Sequence, residues 1–139
     1  MYPFSLECNE SVVGLYELKE DGRFQMTQIG KVGPVMIGYG YVLFENKVAN
    51  YLNNLDIEGL RLEKATIWDR KSGIEYPNYQ KAVISHHFSS DQINDINIDG
   101  LRFLLMENRY LFASPSLTKI IEESMPSIFH ISEGLSEFG

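Results

Sequence analysis

The sequence predicts an α+β fold in which two amphipathic helices pack on a mostly antiparallel sheet. Three observations carry that expectation. Apolar residues take helical spacing in two segments only, around 44–55 and 114–125. Around them lie short runs rich in Val, Ile, Tyr and Phe, separated by Gly-, Asn- and Asp-bearing turns, which is the pattern of strands. A strand–helix–strand unit also occurs twice at a constant offset of 69 residues: Tyr41 matches Tyr110, Val42 matches Leu111, Val48 matches Leu117, Leu52 matches Ile121 and Leu60 matches Phe129. Each helix buries one stripe, and each stripe needs a sheet face. This quasi-repeat predicts that the strands entering and leaving each helix are neighbours.

The elements follow in order. Residues 11–29 read as two strands around a "KEDG" turn. Residues 30–40, "GKVGPVMIGYG", carry four glycines and a proline and form a bent connection with a short strand at Val35–Ile37. In "FENKVANYLNNL", Phe44, Val48, Tyr51, Leu52 and Leu55 share one helical face, and Gly59 ends the segment. Residues 60–68 form a strand whose phase slips near Lys64, as at a bulge. "DRKSG" is a turn, 79–88 is a strand, and 89–100 is a polar loop or short irregular helix. "LRFLLM" and "YLFA" make a hairpin around "ENR". Ser114 is placed to N-cap the second helix, Pro115 opens it and Pro126 stops it; Leu117, Ile120, Ile121 and Met125 line its buried face. A strand at 127–131 and a tail at 132–139 complete the chain; in the tail, Leu135 and Phe138 are the residues able to pack. The whole reads as one domain, 1–139: an N-terminal hairpin and connection (1–40), a core (41–131) and the tail.

Composition narrows the function classes. Hydrophobic residues make up 44% of the chain, enough for a packed core, yet no apolar run approaches the roughly 20 residues of a membrane helix. The start "MYPFSLECNE" has no basic region and no apolar stretch of a secretory signal, and the single Cys8 rules out an internal disulfide; a cytoplasmic protein is expected. A net charge of −7 argues against nucleic-acid binding and suits a basic partner. The charge is uneven. Residues 59–82 hold five basic against three acidic residues, 83–109 two against four, and 110–139 one against four.

Two constellations invite chemistry. "VISHHFSSD" places His86 and His87 side by side, but on a continuous strand successive side chains point to opposite faces. His86 then shares a face with Ala82, Ile84 and Phe88, His87 with Val83 and Ser85, and the pair cannot grip one metal. "DINIDG", Asp95–Gly100, matches the opening of an EF-hand calcium loop, yet the twelfth position, where a bidentate Glu belongs, is Met106. The reading is therefore a polar loop with an Asp-Gly turn, and no cofactor or metal is expected. The aromatics Tyr39, Tyr41, Trp68, Tyr76 and Tyr79 lack the basic groove of a base-stacking platform and read as core, cross-strand pairs or protein anchors.

The chain resembles a family of bacterial immunity proteins, small cytoplasmic partners of polymorphic or contact-dependent toxins, formerly a domain of unknown function. The resemblance runs from Tyr41 to Ile131 and is carried by "YVLFENKVANYLNNLDIEGLRLEKATIWDRKSGIEYPNYQKAVI" and "LRFLLMENRYLFASPSLTKIIEES". Leu43 to Leu55 take the place of the family's strand and capped helix, Trp68 to Gly73 its strand ending in D-x-x-x-G, Tyr79 to Ile84 its Tyr-rich strand, and Phe112 to Leu117 its F-x-S-x-x-L helix start. The resemblance implies a binding protein without catalytic residues. It would sequester a cognate toxin by steric occlusion, aided by charge complementarity. Charge placement nominates Asp91, Asp95, Asp99, Glu122, Glu123, Glu133 and Glu137 to face a basic partner. The competing reading is a small enzyme or ligand-binding domain using His86 or His87 with Tyr79 and an acid in a sheet-edge pocket.

Overall fold

The computed structural model describes residues 2–18, 22–136 and 138. The chain runs through β1 (Phe4–Cys8), β2 (Leu15–Leu18), β3 (Arg23–Met26), β4 (Val35–Gly38), β5 (Tyr41–Glu45) and α1 (Asn46–Asn53). It continues through β6 (Leu60–Trp68), β7 (Glu75–Ile84), β8 (His87–Phe88), a 3-10 turn at Ser90–Gln92, β9 (Phe103–Met106), β10 (Tyr110–Ala113), α2 (Pro115–Ser124) and β11 (Phe129–Glu133). The fold is α+β, as the patterning predicts, but the strands form two sheets. The first has the order β11-β1-β10-β9-β8, the second β2-β3-β6-β7-β5-β4. Pairing is antiparallel except at β3–β6 and β8–β9.

The strands flanking each helix are not neighbours, contrary to the sequence reading. β7 lies between β5 and β6, and β1 lies between β10 and β11. Each flanking pair runs parallel, because both of its members are antiparallel to the strand between them. The cause is width: a helix is about 10 Å across and strands are about 4.8 Å apart, so a packed helix spans two strand spacings. The starts of β5, α1 and β6 at 41, 46 and 60 keep the offset of 69 to those of β10, α2 and β11 at 110, 115 and 129. The units otherwise differ, with nine residues in β6 against five in β11.

Three apolar clusters hold the layers together. The central one joins both sheets to both helices: Leu6, Val42, Phe44, Ile84, Phe103, Leu111 and Phe129 meet Val48 and Leu52 of α1 and Leu117 and Ile121 of α2. The helices touch where the Tyr51 hydroxyl bonds that of Ser124 at 2.6 Å. A second cluster takes Leu15, Phe24, Met36, Leu43, Ile67 and Tyr79, one or more from each strand of the second sheet, which is therefore rolled like a partly open barrel. Tyr41 fastens the roll by accepting the Leu15 N–H at 3.1 Å. The third cluster lies on the outer face of the first sheet, where Ile93, Leu135 and Phe138 cover Phe88, Met106 and Phe112. The tail thus packs, with the Phe138 ring edge-on to Tyr110 at 4.9 Å.

Several local expectations need correction. The expected strand 79–88 is two strands in different sheets: β7 begins at Glu75 and ends at Ile84, the chain breaks at Ser85–His86, and β8 joins β9. Ile84 packs in the central cluster and Phe88 in the outer one, so the break sends two apolar residues to separate cores. Gly59 lies against this break at φ +75, where a Cβ would sit 2.6 Å from the His86 ring. Phe44 belongs to β5, paired with Val35, and Leu55 lies beyond α1, so the first helix is shorter than its apolar stripe. The β6 irregularity lies between Ala65 and Ile67, just after Lys64. β2 and β3 pair as a hairpin with Leu18 opposite Arg23; Lys19, Glu20 and Asp21 of its turn lie outside the described residues.

Candidate functional site

In α2, Leu117, Thr118 and Ile121 are buried, so Lys119, Glu122 and Glu123 face outward. In β11, Phe129 is buried in the central cluster with Leu117 and Ile121 of α2, and alternation puts Glu133 on the same side. The two elements flank a groove of about 480 Å³ lined by Tyr2, Phe4, Pro115, Thr118, Lys119, Glu122, Glu123 and Glu133. Its walls are carboxylates with one lysine, and its floor is aromatic and aliphatic. Tyr2 is 41% exposed and packs over Gly134, whose N–H donates to the Pro3 carbonyl at 2.9 Å.

The aspartates lie elsewhere. Asp91, Asp95 and Asp99 occupy the 89–100 connection between β8 and β9, at the edge of the first sheet opposite β11. Ile93 and Ile96 anchor this connection to the outer cluster, on the face away from α2. The Ser89 hydroxyl donates to Asp91 Oδ1 at 2.7 Å, the Asp99 N–H donates to Asn97 Oδ1 at 2.9 Å, and Arg102 Nε donates to the Asp99 carbonyl at 2.7 Å. One surface therefore holds Glu122, Glu123 and Glu133; the three aspartates are separated from it, and Glu137 lies outside the described residues. In the calcium-like stretch, the Asn97 oxygen is already an acceptor and Met106 is buried in β9. Among the described residues no group of three or more His, Cys, Asp or Glu side chains is placed to hold a metal ion.

The histidines have separate surroundings. His86 Nε2 lies 3.4 Å from Arg102 Nη1, and Arg102 pairs with Glu58 at 2.8 Å. His87 donates from Nε2 to the Ile84 carbonyl at 2.9 Å. Tyr79, their supposed helper, is inside the rolled sheet, where its hydroxyl donates to the Gly33 carbonyl at 2.6 Å. Burial pushes that phenol up to about 12. Ser114 has the backbone of an N-cap, yet its hydroxyl does not cap α2. It donates to the Gly100 carbonyl at 2.7 Å and accepts the Arg102 N–H at 3.0 Å, tying the polar connection to the helix entry.

The sequence reading missed Tyr2 and Phe4. It began its elements at residue 11, although "FSLEC" alternates Phe4, Leu6 and Cys8 with Ser5 and Glu7, a readable period of two. No family model, curated protein or solved structure matches the chain. Carboxylates above an aromatic floor suit the long, cationic and partly apolar side chains of a protein partner.

Proposed function

We propose that the protein is an immunity-type binder that neutralises a cognate bacterial toxin in the cytoplasm by steric occlusion, using the α2–β11 groove against a basic surface. The observation that carries this reading is the gathering of Glu122, Glu123 and Glu133 around the exposed Tyr2. Aromatic anchors within a polar rim are what protein interfaces favour, and a net charge of −7 speeds association with a basic partner. The resemblance over 41–131 points to the same class. The enzyme alternative draws less support, because Tyr79 is turned away from both histidines into a different core.

The test is co-purification with the product of the adjacent upstream gene, expected to be the toxin, followed by affinity at low and high salt. Reversing charge at Glu122→Lys and Glu123→Lys together is expected to slow association by about tenfold or more and flatten the salt dependence. Binding that ignores both salt and charge reversal sinks the groove as the interface. Failure to bind any such toxin sinks the immunity reading.

A further inference from the structure

A sheet edge presents unpaired N–H and C=O groups, and proteins close such edges with short strands, Pro, Lys, bulges or covering segments. The two sheets have four edges: β8 and β11 in the first, β2 and β4 in the second. Three are closed. β8 is two residues long and gives way to the 3-10 turn after Ser89. β2 has its Leu15 N–H taken by Tyr41, and its Glu17 is tied to Lys81 at 3.1 Å. β4 lies against β1, whose Cys8 thiol donates to the Val35 carbonyl at 3.3 Å.

β11 is different. Its five residues, "FHISE", pair with β1 in unbroken register and include no Pro, Lys or bulge. The bond from the Gly134 N–H to Pro3 fixes the phase of the ladder. Ser132 and His130 exchange bonds with Ser5 and Glu7, so both backbone groups of Phe129 and Ile131, and the N–H of Glu133, point away from β1. No other backbone pairs with these outward groups among the described residues. The open edge also adjoins the acidic groove, because Glu133 belongs to both.

Resting on the function proposed above, we infer that β11 is a docking edge to which the partner adds an extended, Lys- or Arg-bearing segment as a sixth strand of the first sheet. The backbone of the incoming strand completes the ladder at Phe129, Ile131 and Glu133. Alternate side chains then fall on the helix side, where cations meet Glu122, Glu123 and Glu133 and their stems cover Tyr2. A second copy of this chain fits less well, since each copy carries a net charge of −7 and would bring its own acidic α2 to the same edge.

The probe is a blocked hexapeptide Lys-Val-Arg-Val-Lys-Val, set against the same peptide N-methylated at every residue. The two share charge and side chains, but the second lacks the donors a ladder needs. Binding to the full chain and amide exchange by NMR are read together. The parent peptide is expected to slow exchange at Phe129, Ile131 and Glu133 about tenfold, and the N-methylated one to bind about tenfold more weakly. Equal binding of the two peptides, or protection elsewhere, overturns edge docking while leaving the charge-steered groove intact. Protection of these amides by raised protein concentration alone overturns the choice of occupant in favour of a second copy. If neither peptide binds, edge docking by basic strands fails; the toxin experiment reads the parent proposal independently.

Discussion

Tyr79 sits 2% exposed inside the rolled sheet, and its hydroxyl bonds the carbonyl of Gly33 on the connection that crosses the roll. Removing that hydroxyl leaves a buried carbonyl unpaired. Tyr79→Phe is expected to cost about 1–2 kcal/mol in urea unfolding at neutral pH. The phenol also makes stability depend on alkali. Its folded pKa is raised to about 12 from an ordinary 10.0, chiefly by burial, so the unfolded chain releases this proton first. The contribution is present in full below pH 10 and is lost as pH rises through 12. Tyr41 is shifted in the same direction by burial. The urea midpoint is expected to fall across that window, and to fall less steeply in Tyr79→Phe. A parallel decline in both proteins would show that other groups govern alkaline unfolding. The ring's burial was legible as a strand aromatic, but its partner was not, because Gly33 is 46 residues away and no local pattern links them.

The helices were the most legible elements and the shortest strand the least. α1 and α2 each bury a stripe that the 3.6-residue period reveals. β8, with two residues, has no period to read, and only tertiary packing separates it from β7. Capping shows the same limit. Ser-Pro correctly marks the start of α2, yet the buried Ser114 hydroxyl serves Gly100 and Arg102. Ser114→Ala is expected to lower stability by about 2 kcal/mol in thermal unfolding, from two orphaned backbone groups in place of one lost cap. Ser114→Gly separates the causes: glycine is a good N-cap but supplies no hydroxyl, so it should fare no better than alanine. Recovery in the glycine variant would return the role to capping. The acidic groove was legible only in part. Glu122 and Glu123 are adjacent in sequence, but Glu133 joins them because β11 borders the same groove as α2, and Tyr2 arrives from the far end of the chain.

For the whole molecule, composition pointed to one domain with a substantial core but not to two sheets. That division rests on the chain changing sheets at Ser85–His86, a choice made by distant partners. The central cluster draws on both sheets and both helices, so the layers are expected to unfold together. Trp68, the single tryptophan, reports on the second sheet, and an NMR signal from Phe112 reports on the first. Their denaturant midpoints should coincide. Separate midpoints would mean that the sheets are independent units joined by a weak seam. Charge belongs to this scale as well: the nominated acids among the described residues divide between opposite edges of the first sheet, and the group beside β11 shares its groove with Tyr2 and Phe4.

The position of β1 has a consequence for the order of events during synthesis. The strands of the second sheet all lie within 15–84, so that sheet can close while the rest of the chain is still emerging. β1 is made before the second sheet, yet its neighbours β10 and β11 are made after it. It must wait, apolar on one side, until residue 133 is free of the ribosome. Its insertion between β10 and β11 is then a late step in folding, and a nascent chain stalled before that point would carry a finished second sheet and a β1 that lacks both of its strand partners.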